Sequence, residues 1–301
     1  MDGTNQSRKG RAARLEAWTP QQLVREYRFR FKKRFGQNFI SDKNLLQSIV
    51  QDAGVTPGNW VLEIGPGLGT LTRAAAEAGA QVTAIEIDRE LTAILKEHLD
   101  PASVTVVEGD ALQLDWAQVL EKSGWHGQPL QMVANLPYYI TTPLVMKALE
   151  CGLPFRSVTV MVQHEVALRM AAEPGTSDYG ILSLVVQYYA KPQLCRVVSA
   201  HSFFPKPDVD SAVMRLDVRA QPPVAAPKEE LFTVIKGGFS QRRKKLRNAL
   251  KQVLKEWNLD AASLDGILEN LDIDVNVRGE ALALEQFSQI TEALLALRTD
   301  V

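Results

Sequence analysis

From Trp60 onward the chain alternates between short apolar runs and stretches of helical periodicity, and no other feature restricts its fold as strongly. "WVLEIG" reads as a buried strand and "LTRAAAEAG" as a helix that stops at Gly79. "QVTAIEID", "VTVVEGDAL" and "QMVANLPY" supply three more strands, with "RELTAILKEHL" as a helix between the first two. "VTVMVQHEVALRM" reads as a strand running into a helix, "ILSLVVQYYA" as a helix or a strand, and "SAVMRLDV" as the last strand. Strands alternating with helices specify an α/β fold built on a parallel, doubly wound sheet.

The ends of these strands carry the polar signals. "EIGPGLGTLT" places glycines at 65, 67 and 69, where the chain must bend and where backbone can approach a ligand without Cβ interference. A dinucleotide fingerprint wants its third glycine at position 70, which here is Thr70. The actual spacing, preceded by Glu63, resembles the first motif of Rossmann-like S-adenosylmethionine methyltransferases; read alone it is also compatible with a tight strand-to-helix turn. Glu86 ends the second strand 21 residues after Gly65, where a carboxylate can accept from both hydroxyls of a ribose, or be a surface acid. Asp110, after the third strand, can accept from the exocyclic amine of an adenine. Ligands of open α/β sheets sit at these carboxyl edges, so the three positions together call for an adenosine-containing cofactor.

The fourth strand ends in Asn135-Leu136-Pro137-Tyr138. Asn and Pro are ordinary turn residues, but this combination also suits a planar base bearing an amino group. An exocyclic adenine amine is a poor nucleophile because its lone pair is delocalised into the ring. Two acceptors aimed at its N–H bonds, the Asn135 side-chain carbonyl and the Leu136 main-chain carbonyl, would draw the nitrogen toward tetrahedral geometry. Pro137 fixes its own φ and biases Leu136 toward an extended conformation, which holds that carbonyl in place. Tyr138 offers a face on which a flipped-out base can stack. Methyl transfer from a sulfonium relies on positioning and electrostatics and needs no metal.

The 301 residues suffice for one large domain and a small one, and 46% hydrophobic with 23% charged residues is the balance of a soluble chain. No run approaches the roughly 20 apolar residues of a membrane span, so no membrane partner is expected. The polar, basic N-terminus is unlike a signal peptide, which implies a cytoplasmic protein. Cys151, Cys195 and four scattered histidines form neither a disulfide framework nor a metal pattern, so no metal is expected. The net charge of −1 hides an uneven distribution: residues 1–34 hold ten Lys/Arg against three Asp/Glu, and residues 219–301 hold twelve of each. The basic start suits nucleic-acid backbone or a solvated tail, with residues 1–18 loosely attached. "RAQPPVAAPKEE" marks a boundary. The expected partition is a basic extension over 1–30, a catalytic domain over 31–218, and an RNA-binding tail over 219–301 made of four helices.

Two further stretches have candidate roles. "FFPKPDVDSAV" joins Phe203, Phe204 and Lys206 with two prolines, as a rigid loop flanking a flipped base or as a stiffened connection into the last strand. "SQRRKKLRNALKQVL" gathers six basic residues within 242–251, among them Arg242, Arg243, Lys244 and Lys245. Leu246, Leu250, Val253 and Leu254 form an apolar stripe beside them, so a helix with one packed and one positive face is expected, its charge directed to RNA phosphates.

"FKKRFGQNFISD", "EIGPGLGTLT", "IEID", "GDAL", "NLPYYITTP", "FFPKPDVDSAV" and "FSQRRKKLRNAL" follow one another in the order found in ribosomal RNA adenine dimethyltransferases. From about residue 19 to 301 the chain resembles the bacterial small-subunit enzymes of the KsgA/RsmA family. That resemblance implies a Rossmann-like, S-adenosylmethionine-dependent catalytic sheet with a small all-helical C-terminal domain. It implies dimethylation of N6 on two adjacent adenosines near the 3′ end of 16S rRNA, with the small ribosomal subunit as partner; a monomer is expected. By position, Asn38, Ile40, Gly65, Glu86, Asp110 and Asn135 would hold the cofactor, and Asn135, Leu136 and Tyr138 the target adenine. Ile40 stands where leucine is commoner. An antibiotic-resistance type of large-subunit rRNA dimethyltransferase shares fold and chemistry, and a non-enzymatic nucleic-acid binder is the alternative of another class.

Overall fold

The computed structural model describes residues 19–32 and 36–299; the loosely attached segment expected over residues 1–18 lies outside them. In chain order the first elements are α1 (Pro20–Glu26), β1 (Phe39–Ile40), α2 (Lys43–Asp52), β2 (Trp60–Ile64), α3 (Thr70–Glu77) and β3 (Gln81–Glu86). Then come α4 (Arg89–His98), β4 (Val104–Glu108), α5 (Trp116–Lys122), β5 (Leu130–Asn135), α6 (Thr141–Glu150) and β6 (Phe155–Gln163). They are followed by α7 (His164–Ala171), α8 (Ile181–Tyr189), β7 (Ala190–Val198), β8 (Phe203–Phe204) and β9 (Ser211–Val218). The tail adds α9 (Lys228–Phe239), α10 (Leu246–Ala249), α11 (Lys251–Glu256), α12 (Ala261–Asn270) and α13 (Leu284–Thr299).

The chain divides into two compact units. One runs to Ala167 and includes Gln193–Val218; the other comprises Leu168–Pro192 and the chain from Arg219. Residues 168–192, expected with the sheet, thus make their contacts in the helical unit. The apolar helix α8 explains this: Tyr188 packs edge-on against Phe232 of α9, with ring centres 5.1 Å apart. The nearby Tyr179 hydroxyl donates to the Leu282 carbonyl at 2.8 Å.

In the first unit a seven-stranded sheet runs β4-β3-β2-β5-β6-β9-β7. The five strands from β4 to β6 are parallel, and β9 lies antiparallel on β6. All five residues of β2 are buried, which is why it reads as continuous apolarity broken only by Glu63. β7 has no such signature because its exposure is mixed along its length, and the sequence reading passed over it. Helices begin where a side chain can satisfy their free N–H groups. Thr19 and Gln22 form a reciprocal capping box at α1, and Asp42, Asp88 and Asp115 cap α2, α4 and α5.

From β2 the chain winds outward through β3 to β4, then crosses back to place β5 on the other side of β2. The carboxyl ends of these four strands therefore meet around a topological switch point, where open α/β sheets leave a crevice. At that edge Gly69 adopts φ +75° and begins α3. A Cβ there would lie 2.7 Å from Leu95 of α4.

The helical unit corrects two expectations. "SQRRKKLRNALKQVL" is not a single helix: α9 ends at Phe239, residues 241–245 form a turn, and Leu250 separates α10 from α11. Leu246, Leu250, Val253 and Leu254 are buried as the stripe requires. They fold back onto α9 where Gly237 leaves room, since a Cβ there would come within 2.8 Å of Leu250 and Val253. Five α-helices, not four, make up the described tail.

Gly69→Ala should combine backbone strain with the clash against Leu95, lowering stability by about 1–3 kcal/mol in urea unfolding. Gly152→Ala is the control, because Gly152 has φ +76° but open space around it. Equal losses would show that the Leu95 contact costs nothing.

Candidate active site

Residues from the ends of β2, β3, β4 and β5, together with Gly36–Ile40, line one cleft with roughly 1100 Å³ of open space. Asn38, Ile40, Gly65, Glu86, Asp110, Asn135, Leu136 and Tyr138 all contribute to its walls. Eight positions chosen from sequence thus converge on one cavity.

Its floor is acidic and buried. Glu86 is 4% exposed; one carboxylate oxygen accepts from the Gly67 N–H at 3.1 Å and the other from the Asp88 N–H at 2.8 Å. Burial outweighs these bonds and pushes its pKa up to about 7. Glu63 is 2% exposed, and its Oε2 is sealed from solvent. Burial raises its pKa to about 8, opposed by a hydrogen bond with the Thr72 hydroxyl and aided by a smaller push from the Glu86 charge. The glycine loop closes over this floor with no room to spare: a Cβ on Gly67 would sit 2.6 Å from the Phe39 ring.

The side walls are fixed by hydrogen bonds. Asp110 accepts from the Leu112 N–H at 2.9 Å and so closes its own turn. The Asn135 Nδ2 donates to the Asn38 carbonyl at 2.8 Å. An amide carries its donor and acceptor on opposite arms, so this bond leaves Oδ1 as the arm available to the cavity. The Leu136 N–H is anchored on the Met161 carbonyl, and Pro137 sits at φ −58°, ψ 132°. The Tyr138 hydroxyl shares a 2.8 Å hydrogen bond with Ser211, which locks the ring. Ile40 is 2% exposed, with one side in the hydrophobic core and the other on the cavity.

Other expected site residues stand elsewhere. Phe203 is a core residue at 5% exposure, and Phe204 packs edge-on to Phe31. β8 pairs antiparallel with β1, Phe39 against Phe204 and Ile40 against Phe203. These two rings therefore back the wall that carries Asn38 and Ile40; they do not line the cavity. Lys206 is exposed, with its ammonium 3.2 Å from the His201 ring. Arg242, Arg243, Lys244 and Lys245 belong to the turn of the helical unit. Arg242 pairs with Glu280 and also donates to the Ser177 carbonyl, and Lys245 reaches Asn276.

Two further lining residues carry polar groups that the sequence expectations do not include. Glu63 is signalled by being an acid inside an apolar strand. Tyr139 is 57% exposed on the cavity rim, its ring 3.7 Å from the place of a Gly36 Cβ. The aromatic doublet Tyr138-Tyr139 was the available hint. Among the described residues no cluster of His, Cys, Asp and Glu could hold a metal, and no helix is long and apolar enough to cross a membrane.

The family model for "Ribosomal RNA adenine dimethylase" matches residues 28–291. The chain belongs to that family. It is a methyltransferase, and S-adenosylmethionine is its methyl donor. "Ribosomal RNA small subunit methyltransferase A" of Alkaliphilus metalliredigens is 44% identical over 276 residues, covering 91% of this chain and 95% of that one. The protein of the same name from Bacillus pumilus is 43% identical, covering 91% and 94%. Among solved structures, a dimethyladenosine transferase from Plasmodium falciparum superposes with a TM-score of 0.69 at 26% identity, covering 84% of this chain and 95% of that one. The 23S rRNA methyltransferase ErmE gives 0.63 at 26% identity, covering 85% and 99%. Both place this member of the family among Rossmann-like methyltransferases.

The buried acids make stability depend on pH. Folding raises the Glu63 pKa from 4.5 to about 8, so the folded state keeps a proton that the unfolded chain has released. Stability should therefore fall as pH rises from about 4.5 to about 8 and level off above, by up to about 1.4 kcal/mol per unit. Glu63→Gln cannot ionise, and its thermal midpoint should decline less between about pH 5 and pH 9. Parallel curves for the two proteins would contradict the assignment.

Proposed function

We propose that the protein dimethylates N6 of two adjacent adenosines near the 3′ end of 16S rRNA, using S-adenosylmethionine, as a step in small-subunit biogenesis. It works as a cytoplasmic monomer on the small ribosomal subunit. The relatives named for that subunit, at 43–44% identity over nine-tenths of the chain, support this substrate over large-subunit RNA.

The cavity fits the methyl donor by its chemistry: a glycine cradle that a Cβ would fill and acids at two strand ends, Glu86 and Asp110. Gly65 and Asn38 would approach it through backbone, Ile40 would supply apolar contact, Glu86 would take the ribose hydroxyls and Asp110 the adenine amine. When bound, S-adenosylmethionine supplies an electrophilic methyl on a sulfonium with a good leaving group. The remaining work belongs to the chain. Asn135 Oδ1 and the Leu136 carbonyl accept the two N6–H bonds of the target adenine, which frees the nitrogen lone pair, and the locked Tyr138 ring stacks on the base. One observation carries this reading: the Asn135 amide is already oriented by its bond to Asn38, with its acceptor arm left over.

RNA phosphates are met in part by the basic turn, where Arg243 and Lys244 are exposed and, among the described residues, form no ion pair, unlike Arg242. Phe204 and Lys206 contribute from the β8 loop, Phe204 by supporting the cavity wall and Lys206 by its exposed charge.

Asn135→Ala should bind RNA normally and lose methyl transfer by about 100-fold or more, measured by nucleoside mass spectrometry of unmethylated small-subunit particles. Normal yield of N6,N6-dimethyladenosine in that variant would sink the mechanism. Product on naked large-subunit RNA, with none on the particles, would move the substrate while keeping the chemistry. Replacing Arg243 and Lys244 together by Ala should flatten the salt dependence of RNA binding by about 1 unit of slope per lost phosphate contact. An unchanged slope would remove the turn from the interface.

A further inference from the structure

The loop after β4 is held by a lysine that no part of the mechanism uses. Lys147 projects from α6, and its ammonium donates to the carbonyls of Ala111, Leu112 and Leu114 at 2.9, 2.9 and 2.7 Å. The same group lies 5.1 Å from the centre of the Trp116 ring, whose indole N–H donates to the Ala111 carbonyl at 2.8 Å. An ammonium has three N–H donors, and here all three end on backbone oxygens of one turn. Three carbonyls converging on one point repel one another unless a cation sits between them. Lys147 thus takes the place a bound cation would occupy.

That turn forms a wall of the cavity. Asp110, Ala111 and Leu112 line it, and the Asp110 carboxylate is bonded back to the Leu112 N–H. Helix α6 begins at Thr141, directly after the Asn135–Tyr138 turn and the short 3-10 turn that ends it. One ammonium therefore joins the wall at Asp110 to the helix that follows the target-base turn. We propose that Lys147 is a positioning residue for the cofactor: it sets the Asp110–Leu112 wall against which the adenosine part is held. This rests on the reading of the cavity as the S-adenosylmethionine site. With all its donors engaged, Lys147 touches neither cofactor nor RNA and acts only through the turn.

The test compares the full-length wild type with Lys147→Met, which keeps the stem over Trp116 and removes the donors, and Lys147→Arg. Calorimetry with S-adenosylhomocysteine measures the site directly; steady-state methylation of small-subunit particles gives KM and kcat. For Lys147→Met the dissociation constant and the KM for S-adenosylmethionine should rise together by about 10-fold or more, with kcat at saturation within about 3-fold. A planar guanidinium cannot converge on three carbonyls, so Lys147→Arg should lose about 3-fold, and it carries the comparison if the methionine variant fails to fold. A folded variant with wild-type affinity, or one that loses kcat with affinity intact, would overturn the role of Lys147. A wild type that binds no S-adenosylhomocysteine would overturn the reading of the cavity, and this inference with it.

Discussion

The buried carboxylate of Glu86 fastens together the pieces of the site. One oxygen holds the glycine loop after β2 through the Gly67 N–H, and the other holds the start of α4 through the Asp88 N–H. Asp88 then passes the connection on. Itself 2% exposed, it takes the Lys32 ammonium and the Gln37 amide, both from the segment that forms the N-terminal wall. Lys32 responds by holding its proton more tightly than an ordinary lysine, chiefly through its bond to Asp88. Two stretches far apart in sequence, the glycine loop and the segment of Lys32 and Gln37, are thereby tied to one strand end. A neutral apolar residue at 86 would release the glycine loop and the wall together.

The cavity was legible because its residues sit at strand ends, and strand ends can be read from where apolar runs stop. Buried parallel strands are nearly continuous in apolarity, so "WVLEIG", "QVTAIEID" and "QMVANLPY" announce both their paths and their exits. Gly65, Glu86, Asp110 and Asn135 follow from that register alone. Asn38 and Ile40 do not; they came through resemblance, since nothing local says that a segment before the first helix returns to cover the sheet edge. Glu63 could have been read and was not. A lone acid in a five-residue buried strand contradicts the core pattern, and such conflicts mark sites.

Where sequence reading failed, tertiary packing had overridden local periodicity. The spacing of Leu246, Leu250, Val253 and Leu254 fits one helix, yet the chain breaks at 241–245 and again at Leu250, so that the stripe can close on the glycine surface of α9. The basic residues therefore lie on a turn, and Arg242 is drawn onto Glu280 and a backbone carbonyl. Phe203 shows the same effect in the sheet unit. Two adjacent aromatics before a proline suggest a base-flanking loop, but alternation in a strand sends one ring to each side, and Phe203 goes to the core. Only the three-dimensional neighbours decide which ring is which.

The amide at position 135 carries a donor on one arm and an acceptor on the other. On one side stands the Asn38 carbonyl, 2.8 Å from Nδ2, which requires a donor. On the other is the cavity, where under the proposed function Oδ1 accepts from the target amine. Aspartate would serve the amine equally well in isolation. Here it would set a carboxylate oxygen against the Asn38 carbonyl, acceptor facing acceptor, beside a floor already carrying Glu63 and Glu86. An aspartate could avoid this only by holding a proton toward Asn38 and keeping its other oxygen as the acceptor, whereas the amide supplies that donor and acceptor at any pH. Under the proposed function, the residue type in the turn is thus set as much by the wall behind it as by the base in front.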